Sequence, residues 1–368
     1  MSRFLVVTHS ANERDAVLWK TVINHYPNVD LAIPDFNDPA TDKRWIQPLT
    51  DEKRAFLLPA TEPFGKGHSS LWLPRLHTLL RANNYSLLHA AMEPWSMIPQ
   101  RFVTRIPTVV QGAESVIVDA PWQLRLRRTG LRRVLRNLAG LAAWGQTSID
   151  EFVRAGLPPS TPRAVIPMGI PDPSVFQHTP IPSLEAGLNV LYVGRLDPEK
   201  GVSTIIEALR SANADKRTRL RILGTGPQEQ HLRTLARNVS AAHIDFEGQA
   251  SLSEVRAAMK WAHVVIVPSL VTERWKEQWG RVPVEAILSG RLCLVSDSGE
   301  LPRLSPVPGT VFASGDSEDL RNRLEFLVRN PSSFQTLADQ QNAHIESFDA
   351  SVLASKLLDL WSRSLKAS

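Results

Sequence analysis

Short apolar runs alternate with segments whose apolar residues return at helical spacing, from one end of the chain to the other. Read as strands, the runs of the first half are Phe4–Thr8, Val29–Ile33, Phe56–Leu58, Ser86–His89, Thr108–Val110, Leu141–Trp144 and Ala164–Ile166. A proline-rich stretch follows, with Pro167, Pro171, Pro173, Pro180 and Pro182, and then the rhythm restarts. The second series is Val190–Val193, Leu220–Leu223, Ile244–Phe246, Val264–Val267, Leu292–Ser296 and Val311–Phe312. Strands this apolar, separated by amphipathic segments, predict parallel sheets covered by helices on both faces. The expected fold class is α/β, with two doubly wound Rossmann-like domains facing across a cleft at the carboxyl ends of their strands. The proline-rich stretch reads as the linker.

At 368 residues the chain is long for one domain, which agrees with boundaries at 1–175 and 180–349. The last segment, with Leu353, Leu357, Leu358 and Trp361 at helical spacing, is expected to return over 350–368 and complete the first domain. The apolar run of Phe4-Leu5-Val6-Val7 reads as too short for a signal peptide, and no stretch approaches roughly 18 uninterrupted apolar residues. The one cysteine, Cys293, has no partner for an internal disulfide. Cytoplasm is the expected location, with a peripheral place at the inner membrane face as its variant.

The candidate chemistry gathers where strands of the second half end. After Val193 come Gly194, Arg195, Lys200 and Gly201. Two cations ahead of a helix suit a diphosphate, because backbone amides and the helix dipole add to the side-chain charge; a plain turn with two solvated bases fits the same residues. Gly224 and Gly226 follow the next strand and let backbone approach a ligand, although such a loop needs glycine for structural reasons too. Pro268 and Ser269 lead into Glu277, Gln278, Trp279, Gly280, Arg281 and Glu285. Glu277 belongs to the loop after a strand and Glu285 lies about one turn into the following helix, so both carboxylates can point to one cleft. A carboxylate accepts two hydrogen bonds from paired hydroxyls, as on a ribose or pyranose; the alternative is a pair of acids serving a helix N-terminus.

Taken in order, Gly-Arg-x-x-x-x-Lys-Gly, Gly-x-Gly-Pro, Pro-Ser and Glu-x7-Glu resemble family-4 GT-B glycosyltransferases of the group 1 type, from Val190 to about Phe312. The resemblance implies a retaining, metal-independent glycosyltransferase with an acceptor-binding first domain and a donor-binding second domain. Arg195 and Lys200 would neutralise the diphosphate leaving group, Glu277 would contact the donor sugar and Glu285 the ribose. Gly194, Gly224, Gly226, Ser269, Gln278, Trp279, Gly280 and Arg281 complete the implied donor side. Catalysis would rest on Glu277, Arg195 and Lys200, with no cofactor beyond the nucleotide-sugar substrate. The chain holds no Asp-x-Asp, which agrees with fixed cations in place of a metal ion at the leaving oxygens.

The first half resembles the family less. Glu93, in a Glu-Pro-aromatic loop, and Gln111 are the implied acceptor-side residues, with His89 and Glu114 beside them. The glycine pair usual after the first strand is replaced by His9-Ser10-Ala11-Asn12, so His9 stands as a further acceptor-side or phosphate-side candidate. Trp279 replaces a usual Phe, and Arg303 stands where an acid is common after Leu-Pro.

Charge adds one feature. Residues 101–140 hold eight Arg and only Asp119 and Glu114 against them, whereas the whole chain is +5. The arginines from Arg125 to Arg136 oppose an apolar stripe of Leu131, Val134, Leu135 and Leu138. Either they are a solvated helix face, or they meet an anionic membrane, a lipid carrier or an acidic glycan. No recognition motif accompanies them, so nucleic acid is not an expected partner. Two other functions fit this architecture: a GT-B epimerase or inverting transferase, and an inactive subunit that binds sugar nucleotide or glycan.

Overall fold

The structure, a computed structural model, describes every residue except 1, 9–12, 37–44, 64–69, 115, 118–129, 168–170, 212–216, 346–347 and 368. Its contacts divide the chain into two compact units, Met1–Ile170 with Phe348–Ser368, and Pro171–Ser347.

The first unit holds a seven-stranded sheet of β1 (Phe4–Thr8), β2 (Val29–Asp35), β3 (Ala55–Pro59), β4 (Leu87–Ala91), β5 (Thr108–Gly112), β6 (Gly140–Ala143) and β7 (Arg163–Val165). The order is β3-β2-β1-β4-β5-β6-β7, and every described pairing is parallel. Strands such as Leu87-Leu88-His89-Ala90-Ala91 are buried along their whole length, as a sheet with both faces covered requires. On one face lies the last helix, Ala350–Ala367. Its Leu353, Leu357, Leu360 and Trp361 join Trp19, Val22 and Ile23 of the helix Glu13–His25 in one apolar cluster. Gly140 in β6 admits that helix, because a Cβ there would fall 2.2 Å from Ser364 Oγ.

The second unit holds β8 (Asn189–Val193), β9 (Thr218–Leu223), β10 (Ala242–Gly248), β11 (Val264–Val267), β12 (Leu292–Ser296) and β13 (Val311–Phe312), in the order β10-β9-β8-β11-β12-β13 and again parallel. The chain runs outward from β8 through β9 and β10, then returns to start β11 on the other side of β8. That reversal makes the carboxyl ends of β8 and β11 a switch point, the place where ligands bind in open sheets of this kind. Val264 pairs with Val190 and Val265 with Leu191, a register that brings the ends of both strands to one level. Helix starts are set locally. Ser251 caps Leu252–Trp261 through a capping box with Glu254, and the Asp316 carboxylate accepts from the amides of Glu318 and Asp319 ahead of Ser317–Arg329.

Candidate functional site

In the second unit the loops that leave β8 and β11 are stitched together by backbone. The amide of Leu270 donates to the carbonyl of Glu199 at 2.8 Å. Gly201, at φ +64°, packs so closely that a Cβ would lie 2.1 Å from the Pro268 carbonyl oxygen; only glycine supports both the left-handed conformation and the approach. This contact delivers Lys200, at the end of a single 3-10 turn Pro198–Lys200, to the residues that follow β11.

The Lys200 ammonium lies 2.9 Å from Glu277 Oε2, and the Ser269 hydroxyl donates to the same oxygen at 2.6 Å. Ser269 is fully buried and Glu277 nearly so. A carboxylate so enclosed stays charged at low cost only with charged or polar donors against it. The loop beneath Glu277 is equally determined: its amide donates to Ser298 Oγ at 3.2 Å, and its carbonyl accepts from the Glu300 amide at 3.0 Å. Gly299, at φ +56°, leaves no room for a Cβ, which would sit 2.0 Å from the Glu277 carbonyl oxygen. Trp275 completes the group, with the Lys200 ammonium 4.5 Å from its ring centroid.

Arg195 behaves differently from Lys200. Its side chain is 69% exposed and is ion-paired within its own loop to Asp197 and, at 3.8 Å, to Glu199. Its backbone is held by Tyr192, whose buried hydroxyl donates to the Arg195 carbonyl at 2.6 Å. Burial raises the Tyr192 phenol above its ordinary range, and the charge of Glu277 adds to the rise. The phenol therefore stays a donor to the Arg195 carbonyl. Gly194 and Gly224 meet closely: a Cβ on Gly224, at φ +144°, would come 1.8 Å from the Gly194 carbonyl oxygen. A Cβ on Gly226 would likewise come 2.6 Å from the carbonyl carbon of Leu196. Both glycines thus serve packing between neighbouring strand-end loops.

The helix Arg281–Leu288 begins at Gly280. On it Arg281 and Glu285 form an ion pair at 2.9 Å, with Glu285 buried and Arg281 about one-third exposed. A cation in the first helical turn opposes the dipole, and here the carboxylate one turn later compensates it. Trp279 is buried and Gln278 half-buried. The described contacts thus join Lys200, Ser269, Glu277 and Trp275 in one group and Arg281 with Glu285 in another. Tyr192 is not singled out by sequence. A tyrosine inside an otherwise apolar strand is the one local signal that could have pointed to Tyr192.

In the first unit, Glu93 follows β4 and accepts at Oε1 from the Ala113 amide at 2.8 Å. Gln111 is buried in β5, and its side chain is engaged at both ends. Its amide nitrogen donates to the Ile166 carbonyl at 2.7 Å, and its oxygen faces His89 Nε2 at 3.1 Å. The Trp361 indole N–H donates to His89 Nδ1 at 3.0 Å, so the proton of a neutral ring sits on Nε2 and goes to Gln111. Burial pushes the His89 imidazole down to about 4. His89 and Gln111 thus form an interior relay between the sheet and the C-terminal helix. Glu114 is half-buried in the loop after β5. His9 lies outside the described residues, as do Arg125, Arg127 and Arg128; Arg132, Arg133 and Arg136 are exposed on the helix Leu131–Asn137. No helix among the described residues is long and apolar enough to cross a membrane.

Residues 179–344 match the family described as Glycosyl transferases group 1. Over 160 residues the chain is 22% identical to MJ1178, an uncharacterized glycosyltransferase of Methanocaldococcus jannaschii, with 43% of each protein covered. Over 155 residues it is 26% identical to the gpi3 subunit of phosphatidylinositol N-acetylglucosaminyltransferase from Schizosaccharomyces pombe, with 42% of this chain and 33% of that protein covered. The chain spans less than half the length of either curated relative. The likeness of fold is wider: HepE of Anabaena, solved in complex with UDP, aligns at TM-score 0.71 and 18% identity over 98% of this chain and 99% of its own. The parallel sheets of seven and six strands thus share the GT-B fold of that protein, and the second unit is similar, over residues 179–344, to the group 1 glycosyl transferases.

Proposed function

We propose that the chain is a retaining glycosyltransferase that takes a sugar from a nucleoside-diphosphate donor, binds that donor on the second unit and needs no divalent metal. The observation that carries the reading is the Lys200–Glu277 pair at the switch point between β8 and β11, 2.9 Å apart and backed by Ser269. Departure of a nucleoside diphosphate breaks the bond between the anomeric carbon and a phosphate oxygen, and negative charge grows on that oxygen. A preorganised ammonium stabilises it in place of a metal ion. Lys200 takes this role, and Arg195 joins it by releasing its own loop's acids. Glu277 directs its remaining lone pairs to the donor sugar, and Glu285 receives the ribose hydroxyls. The acceptor oxygen forms the new bond on the face the diphosphate leaves, and its proton passes to the departing oxygen. UDP in the solved Anabaena protein supports a nucleoside-diphosphate donor.

The first unit is the acceptor unit in this reading, with Glu93 on the acceptor side. The exposed Arg132, Arg133 and Arg136 extend it to peripheral contact with an anionic membrane. Each such arginine near a charged leaflet contributes about 1 kcal/mol.

Turnover with a panel of nucleotide sugars, UDP-glucose among them, tests the assignment. Glu277→Ala is expected to lower turnover roughly 100- to 1000-fold in a folded protein, the size of a lost electrostatic contact in a dry site. Near-normal turnover removes Glu277 from the mechanism. Nuclear magnetic resonance of the product's anomeric centre reports retention, and an inverted product refutes it. Unaltered sedimentation with anionic vesicles after Arg132, Arg133 and Arg136 are all changed to Glu would leave those arginines as a solvated face.

A further inference from the structure

The Lys200 side chain has two neighbours of different kinds, the Glu277 carboxylate at 2.9 Å and the face of Trp275 at 4.5 Å. Glu277 neutralises the ammonium, whereas an indole face attracts it and leaves its full charge available. A diphosphate arriving at Lys200 competes with Glu277 for the same protons but not with Trp275. Glu277 keeps the Ser269 hydroxyl when the ammonium turns away. The indole is therefore the one of these two contacts that persists in both states.

Its own loop is braced. The Thr272 amide donates to the Trp275 carbonyl at 2.9 Å, the Trp275 amide donates back to Thr272 at 3.4 Å, and Thr272 Oγ1 donates to the Trp275 carbonyl at 3.3 Å. The lysine stem, by contrast, has four rotatable bonds and loses much rotamer freedom when its end is fixed. A rigid aromatic surface beside it reduces the number of places the ammonium can occupy before the ligand arrives.

We infer that Trp275 is a positioning residue for Lys200: it holds the ammonium, still charged, where a nucleoside diphosphate can take it over from Glu277. The inference rests on the diphosphate role of Lys200 proposed above.

A ligand-free measurement decides the contact itself. With ε-¹³C-lysine label, the Lys200 signal, assigned by its loss in Lys200→Met, is expected upfield of the other lysines because of the indole ring current. It should return to their position in Trp275→Ala. A Lys200 signal already among the others in the unaltered protein overturns the inference.

Titration calorimetry with UDP, and with GDP as a second probe, then measures the consequence. Trp275→Ala is expected to weaken binding roughly threefold to thirtyfold, the range of a cation–π contact, and Trp275→Phe to recover most of it. In the Lys200→Met background, Trp275→Ala should change affinity by less than about twofold, since the residue acts through the lysine. An equal loss in both backgrounds, or no loss in either, overturns the positioning role. Unchanged affinity in Lys200→Met alone overturns the diphosphate reading instead, and the lysine spectrum still reports whether the contact exists.

Discussion

The pairing of Lys200 with Glu277 can be measured without any substrate. Lys200→Met keeps most of the stem and removes the charge; Glu277→Gln keeps the shape and removes the other charge. The two side chains are 20% and 10% exposed and 2.9 Å apart. An exposed pair contributes up to about 1 kcal/mol, but a hydrogen bond to a charged partner away from water contributes about 1.5–3 kcal/mol. Burial puts this pair in the second class. Lys200→Met leaves the Glu277 carboxylate with the Ser269 hydroxyl alone, so the single variant is expected to lose about that amount. Adding Glu277→Gln removes the stranded charge and restores part of the loss. The coupling energy between the two positions, from urea unfolding of the wild type, both single variants and the double variant, should be about 1.5–3 kcal/mol. Because the two units can unfold in separate transitions, the coupling is read from the transition that UDP shifts. For a unit of this size the single variant lowers that midpoint by roughly 3–12 °C. A coupling below about 0.5 kcal/mol would mean that the pair behaves as a surface contact, and the argument that Glu277 is held by a fixed cation would fall.

Three further outcomes follow from the same contacts. Gly299→Ala forces a Cβ against the Glu277 carbonyl at a left-handed φ, so turnover should fall roughly 100-fold through a displaced carboxylate; circular dichroism checks the fold, and normal turnover contradicts the geometry. Excess EDTA should leave turnover with the best donor within about twofold, and a loss restored by Mg²⁺ refutes the metal-free scheme. His89, held near 4 in the folded state, is protonated first in the unfolded chain. Its contribution to stability is therefore complete above about pH 6.5 and declines as pH falls towards 4, by about 2 kcal/mol between pH 7 and 5. His89→Gln should flatten that part of the pH dependence of unfolding, and an unchanged slope would place the titration elsewhere.

Much of the fold was readable before any coordinates. Runs such as Val264–Val267 and Leu292–Ser296 occupy the strands that their apolar character predicts, because a parallel strand buried on both faces carries no polar alternation to blur its ends. Strands nearer an edge were read less well: β10 extends over Ala242–Gly248, beyond Ile244–Phe246, and its residues are mostly half-buried or exposed. The residues proposed for the donor side lie in strand-end loops that are legible for the same reason. Glycine, proline and charge interrupt the apolar runs where the chain leaves the sheet.

Strand order, and with it the partners of each loop, had to come from the tertiary structure. Nothing local says that β11 lies beside β8, yet this adjacency brings Lys200 to Glu277, 77 positions away in the chain. Nor does local pattern separate two arginines of similar appearance, Arg195 ion-paired within its own loop and Arg281 engaged with Glu285 on its helix. Gln111 and His89 show the same limit. By sequence they belong with the acceptor side, but the return of the final helix supplies the Trp361 donor and closes a buried relay around them. Burial and the lean of a strand towards parallel pairing are properties of a short segment and are written into it. Which polar groups meet depends on distant segments, and only the packed chain determines that.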